Sequence, residues 1–197
     1  MDIQIDEAHH YWLDGKIQIP SVTQILQALG ISNFSMVPEA LLDRSINYGN
    51  AVHDMTAYWD RGTLNLEALD KQLFPVLEQW KKFLRDYSVK LDPNFIECIV
   101  YCQKFKFAGT PDRVCIINGK NIVLDIKTGA SNPNHAIQLA AYQLALKEEG
   151  LKIHGRWAIY LSTDKYKIEV FKNPSDTSVF LSALNIWNWK KNKKNGG

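Results

Sequence analysis

Two aspartates and a lysine pose the first chemical question in this chain. The stretch GTPDRVCIINGKNIVLDIKTG, residues 109–129, holds two apolar runs around Asn118-Gly119, and each run carries one carboxylate, Asp112 or Asp125. Asn-Gly between apolar runs signals a tight hairpin, because a type I′ turn needs positive φ at both central residues. Counting outward pairs Ile117 with Lys120, Ile116 with Asn121 and finally Asp112 with Asp125. Side chains directly opposed in this way sit about 4.5–5.5 Å apart at Cβ, where like charges destabilise the pair. The expected pairing therefore carries a repulsion that something must relieve. Strand alternation puts Lys127 on the face of Asp125 and Ile126 on the other. Two carboxylates so placed suit a divalent cation, since Mg²⁺ takes one or two carboxylates together with water and phosphate oxygens. The lysine could hold a phosphate or orient a water, while the metal lowers that water's pKa. For Asp125-Ile126-Lys127 alone, an exposed hairpin face with an ordinary Asp–Lys pair is the alternative. On the first reading, Asp112→Asn relieves the repulsion and should raise thermal stability in metal-free buffer.

Further residues extend the set. Glu97, in FIECIVY, shares a strand face with Ile99 and Tyr101 on alternation, an odd place for an unpaired carboxylate. In GNAVH, Gly49 and His53 stand four apart on one helix face, and a helical glycine costs about 1 kcal/mol against alanine. Its presence points to close approach by another backbone or a ligand. Gln138 and Tyr142 are also four apart, with hydrogen bonds suited to phosphate oxygens or to the lysine, and a ring able to stack on a base. Lys104 and Lys106 alternate with Phe105 and Phe107 just ahead of GTPD, which reads as phosphate contact and base stacking. Lys190, Lys191, Lys193 and Lys194 read as a solvated, frayed tail, and Trp187 and Trp189 as core.

The elements that must position these groups are legible in outline. IQID and HHYWLDGKIQIPSVT read as short strands with an Asp14-Gly15 turn, and Ser21 caps a helix that stops at Gly30. Helices are expected from Pro38 to about Arg61 and from about Asp70 to Tyr87. The period then changes: residues 94–129 read as three strands. A helix from about Asn134 to Glu149 follows, then strands RWAIYLST and KYKIEVF, and a last helix from about Pro174 to Trp189. This order is α/β, a mixed sheet flanked by helices with a helical N-terminal segment.

Bulk properties narrow the class. At 197 residues one domain is the default, and 46% hydrophobic with 22% charged residues is ordinary for a soluble globular chain. No apolar run reaches a membrane span, and MDIQIDEAHH lacks a signal-peptide apolar region, so a cytoplasmic location is the default. A net charge of +2 neither demands nor excludes nucleic acid. Cys98, Cys102 and Cys115 read as small buried hydrophobes with no disulfide or thiolate metal site.

The order GNAVH, Glu97, GTPD, DIKTG, QLAAY resembles the RecB-type branch of the PD-(D/E)XK nuclease superfamily. IPSVTQIL, residues 19–26, is similar to a segment of phage-type exonucleases and of the mitochondrial genome maintenance exonuclease. The resemblance spans about residues 19–145 and implies a restriction-endonuclease-like core. One nuclease domain is expected over 1–197, with a helical part about 21–88, a catalytic sheet about 91–171, and a C-terminal helix and basic tail about 174–197. It further implies that Asp112 and Asp125 ligate Mg²⁺ or Mn²⁺, with the Ile126 carbonyl completing the shell and His53 a further ligand. Lys127 would be the catalytic lysine, Gln138 and Tyr142 supports at the DNA phosphate, and Glu97 an acidic position found in some members. An iron–sulfur cluster of the kind some members hold is not expected, because no cysteine precedes Cys98 or follows Cys115. The implied activity is a DNA exonuclease acting on free or single-stranded ends, with a recombination or replication protein as the partner that supplies them. A structure-selective endonuclease and a silent binding module of the same fold are the alternatives.

Overall fold

The computed structural model describes residues 2–6, 8–30 and 39–195; Pro38, expected near the start of the long helix, lies outside them. Three short antiparallel strands come first: β1 (Ile3–Ile5), β2 (Tyr11–Leu13) and β3 (Ile17–Ile19). Ser21 then caps α1 (Val22–Ala28) through a reciprocal capping box with Gln24. Helices α2 (Glu39–Asp60) and α3 (Phe74–Asp86) follow, then β4 (Lys90–Ile96), β5 (Val100–Cys102), β6 (Phe107–Gly109), β7 (Arg113–Ile117) and β8 (Lys120–Lys127). The chain ends with α4 (Asn134–Glu148), β9 (Gly155–Leu161), β10 (Tyr166–Phe171) and α5 (Ser175–Asn195). Residues 94–129, expected as three strands, thus hold β5, β6, β7, β8 and the end of β4. The chain breaks at Glu97 and Lys106, which adopt left-handed φ of 53° and 55°.

The main sheet has the order β10-β9-β8-β7-β4, with β8 and β9 parallel and the other pairs antiparallel. A parallel pair needs a crossover, and α4 supplies it. This is a mixed sheet flanked by helices, the restriction-endonuclease-like arrangement. The two faces of β8 sort by alternation: Ile122, Leu124 and Ile126 pack under α2 and α3, while Val123 packs under α1, α4 and α5. Asp125 and Lys127 fall on the Val123 face. The helices of the N-terminal part therefore divide between both faces of the sheet. Cys102 and Cys115 are buried, Cys98 half-buried, and all three are free thiols; burial pushes Cys102 and Cys115 up to about 12.

The Asn118-Gly119 hairpin forms with positive φ at both residues, 50° and 72°, and with the expected register from Ile117–Lys120 to Arg113–Leu124. At the next position the expectation fails. The ladder ends at Arg113, so Asp112 lies in a bend beyond it and does not oppose Asp125 as a strand pair.

Gly109, at the start of GTPD, is set by packing. A Cβ there would lie 2.5 Å from Tyr142 Cε1 and 3.3 Å from Val22 Cγ2, and both side chains are buried. Gly109→Ala should cost about 1–3 kcal/mol and lower the melting temperature by scanning fluorimetry; no change would mean that the Tyr142 ring can retreat. Gly49 differs. A Cβ there would meet Thr128 Oγ1 at 3.6 Å, an ordinary contact, so the neighbouring protein does not demand that glycine.

Candidate active site

β8 ends where the sheet meets α2 and α4, and this places Asp125 and Lys127 at the floor of a cleft. The cleft has a volume of about 870 Å³ and is also lined by His53, Glu97, Asp112, Gln138 and Tyr142. The structure thus gathers seven of the side chains singled out in the sequence. Asp112 is gripped on both oxygens: Oδ2 accepts from the Ile126 backbone N–H at 2.6 Å, and Oδ1 lies 3.3 Å from His53 Nδ1. Asp125 contacts Lys127 Nζ at 2.5 Å, yet its buried Oδ2 receives no well-directed hydrogen bond. Lys127 Nζ also reaches Gln138 Oε1 at 3.5 Å, and Gln138 Nε2 donates to the Tyr142 hydroxyl at 2.9 Å.

The two carboxylates share a cleft and differ in acidity. Burial pushes Asp125 up to about 6, with the charge of Asp112 adding to it and Lys127 opposing. Burial also opposes ionisation of Asp112, but the His53 charge and hydrogen bond, Lys127 and the Ile126 amide together hold it below its ordinary value. Asp112 in turn raises His53 against its burial. Lys127 loses by burial but gains more from Asp125 and Asp112, so its pKa is raised and it stays ammonium.

The metal-free stability expectation for Asp112→Asn therefore reverses. Asp112 is the favourably held charge, and Asp125 is the destabilising one. A carboxylate whose folded pKa lies above its ordinary value opposes folding fully once the pH exceeds about 6, and ceases to do so below the ordinary value near 3.8. In EDTA at pH 8, Asp125→Asn should melt above wild type and Asp112→Asn below it. The advantage of Asp125→Asn should shrink as the pH falls from about 6 toward 4. Equal melting temperatures for both variants at pH 8 would mean that the two carboxylates do not differ.

The donor set fits a hard divalent cation. Two carboxylates face a single ammonium, the buried Asp125 Oδ2 has that ammonium as its contact, and the Ile126 carbonyl follows Asp125 directly in sequence. His53 stands beside this set, its Nδ1 3.3 Å from Asp112 Oδ1.

Glu97 and Tyr142 reach the cleft in other settings than expected, and the two lysines lie away from it. Glu97 leaves the strand in a left-handed turn, its N–H donating to the Asp112 carbonyl at 2.9 Å and its carboxylate paired with Arg61 at 3.2 Å. It does not share a strand face with Ile99 and Tyr101, because β4 ends at Ile96. Tyr142 is 3% exposed, so its ring packs under Gly109 and cannot stack on a base. Lys104 and Lys106 do not line the cleft. Their turn docks on the far end of α4, where the Lys104 N–H donates to Glu148, and Phe105 and Phe107 point into the core.

One supporting group was not anticipated. Arg113, in the apolar run after Asp112, is 1% exposed and pairs with Asp60 of α2 at 2.7 Å. Its Nη1 donates to the Asp112 carbonyl at 2.6 Å, and Trp80 Nε1 donates to Asp60 at 2.9 Å. An arginine inside an apolar strand was the available signal, since an unpaired charge is not tolerated there.

The fold and site define a class. A family model of the PD-(D/E)XK nuclease superfamily matches residues 25–184, and the chain belongs to that superfamily. Two solved structures are similar to it. One is SSO0001, at 16% identity and TM-score 0.38, covering 69% of this chain and 68% of that one. The other is a presumptive exonuclease from Eubacterium rectale, at 12% identity and TM-score 0.48, covering 86% of this chain and 72% of that one. No curated protein matches the chain. Among the described residues no helix is long and apolar enough to cross a membrane.

Proposed function

We propose that this chain is a divalent-metal-dependent DNA exonuclease of the RecB-type branch, hydrolysing phosphodiester bonds at free or single-stranded ends in the cytoplasm. The carrying observation is one cleft in which Asp112, Asp125 and Lys127 meet, with one carboxylate held ionised and the other pushed up to about 6. Asp112 and Asp125 would hold Mg²⁺ or Mn²⁺, which would supply Lewis acidity at the phosphate. The Ile126 amide fixes Asp112, and its carbonyl would add an oxygen donor. Lys127 sits beside Asp125 to neutralise charge building on the scissile phosphate, and Gln138, braced by Tyr142, fixes its direction. His53 steadies Asp112, and Glu97 marks the rim with Arg61.

Preference for an end has its support in the walls. Strand β2 through Tyr11, helix α1 through Val22 and Gln24, and helix α2 through Asn50 and His53 line the walls of the cleft, which suits a strand laid in by its end. A recombination or replication protein is the partner proposed to deliver such ends.

The test is digestion of single- and double-stranded DNA, linear with one labelled end or circular, in Mg²⁺, in Mn²⁺ and in EDTA. Metal-dependent loss of linear substrates alone supports the exonuclease. Cutting of circles replaces it with an endonuclease, and retention without cleavage in a gel shift replaces it with a silent binding module.

A further inference from the structure

The cleft does not end at Lys127. Gln24 and Gln27 of α1 line it, and the same two side chains line a second groove of about 900 Å³ between α1 and α5. That groove is completed by Gln18, Trp187, Lys190 and Lys191, so a continuous surface runs from the paired aspartates to the C-terminal end of α5. Trp187, Lys190 and Lys191 stand at i, i+3 and i+4, one helix face. The segment expected to fray is helical through Asn195.

The charge of the groove is one-sided. From Ala183 to Asn195 the chain carries Lys190, Lys191, Lys193 and Lys194 and no acidic residue, and Ser21–Gly30 carries no charge at all. Among the described residues no carboxylate pairs with Lys190 or Lys191. Lysines near a helix C-terminus do complement its dipole. The dipole gives no reason for exposed Gln18 and Gln27 amides lining the same groove. Ammonium groups for phosphates and amides for base edges, beside a half-buried Trp187 that packs on the core, are together the chemistry of a single nucleic-acid strand.

We propose that the α1–α5 groove is a binding track for single-stranded nucleic acid, continuous with the active cleft, in which Lys190 and Lys191 take backbone phosphates several nucleotides from the scissile bond. The proposal rests on the nuclease reading of the cleft. The test is fluorescence anisotropy of the full chain in EDTA with a labelled twenty-nucleotide single strand over a range of salt. Each phosphate contact to a single strand contributes about 0.7 to the slope of log affinity against log salt. Lys190→Glu/Lys191→Glu should therefore flatten the slope by about 1.4 and weaken binding about tenfold or more at low salt. The charge-matched Lys165→Glu/Lys172→Glu, on exposed positions beside β10, should bind as wild type.

Unchanged affinity and slope in the α5 variant, or an equal loss in the control, overturns the track and leaves the nuclease reading intact. Displacement of the strand by poly-glutamate at equal charge overturns it too, since the groove would then read charge alone. Wild-type binding that depends on Lys190 and Lys191, with no cleavage in any metal, supports the track and removes the nuclease. Absence of binding by wild type overturns the track.

Discussion

Lys127→Ala should lower the rate of cleavage by about 10³-fold in a protein that still folds, because a charge placed at the transition state contributes about 10²–10³ and a proton-transfer role up to about 10⁴. Among the described residues that line the cleft, Lys127 alone is a lysine or arginine, and Arg61 nearby is engaged by Glu97. The loss should fall on kcat more than on KM, since Lys127 touches the reacting phosphate and the rest of the strand is held elsewhere. Folding should survive for a local reason. Among the described residues Asp125 and Gln138 lose a direct contact, and Asp125, already pushed up to about 6, relieves its isolation by taking a proton. Lys127→Arg should not rescue. A planar guanidinium cannot replace a compact ammonium between Asp125 and Gln138. Single-turnover digestion at saturating enzyme, beside a circular-dichroism spectrum, reads both halves; an unaltered spectrum with more than about a tenth of the wild-type rate would place the catalytic charge elsewhere.

Why the sequence disclosed some of this site and concealed the rest is a matter of range. The register between β7 and β8 follows from Asn118-Gly119, because a two-residue turn fixes every pair that follows it. The shared face of Asp125 and Lys127 follows from alternation, and that of Gln138 and Tyr142 from the helical repeat. What local pattern cannot show is where a ladder stops. Asp112 lies one residue past its end, and that single step turns an opposed pair into a carboxylate gripped by the Ile126 amide and His53. The same holds at Glu97, where one left-handed residue ends the strand and undoes the alternation. Lys104 and Lys106 looked close to the site along the chain, but the β5–β6 turn carries them to the far end of α4. The α5 lysines looked remote and lie beside α1. Both placements depend on how helices dock, and sequence distance carries no information on that.

Arg113 is the strongest case of such long range, and its replacement should have the largest effect on stability. Its partner Asp60 lies 53 residues away, and the pair is closed to solvent, with side chains 1% and 0% exposed. Removing one member of a buried pair leaves an uncompensated charge and costs about 3–5 kcal/mol. Burial already raises Asp60 against the pull of Arg113, so in Arg113→Met it keeps only Trp80 as a close donor. At about 2–4 °C per kcal/mol for a chain of this size, the melting temperature should fall by roughly 6–20 °C. Removing both charges is a different perturbation. Asp60→Leu/Arg113→Met exchanges the pair for apolar volume, which is often neutral, and should recover most of the loss. Activity should not recover with it. Arg113 Nη1 donates to the Asp112 carbonyl, and that carbonyl also receives the Glu97 amide, so the guanidinium sets the position of the carboxylate. A displacement of about 1 Å can cost about 10²-fold. The double variant should therefore melt near wild type and cleave slowly at 20 °C. If it regains cleavage along with its melting temperature, Arg113 serves the fold alone and Asp112 is placed by the Ile126 amide and His53 without it.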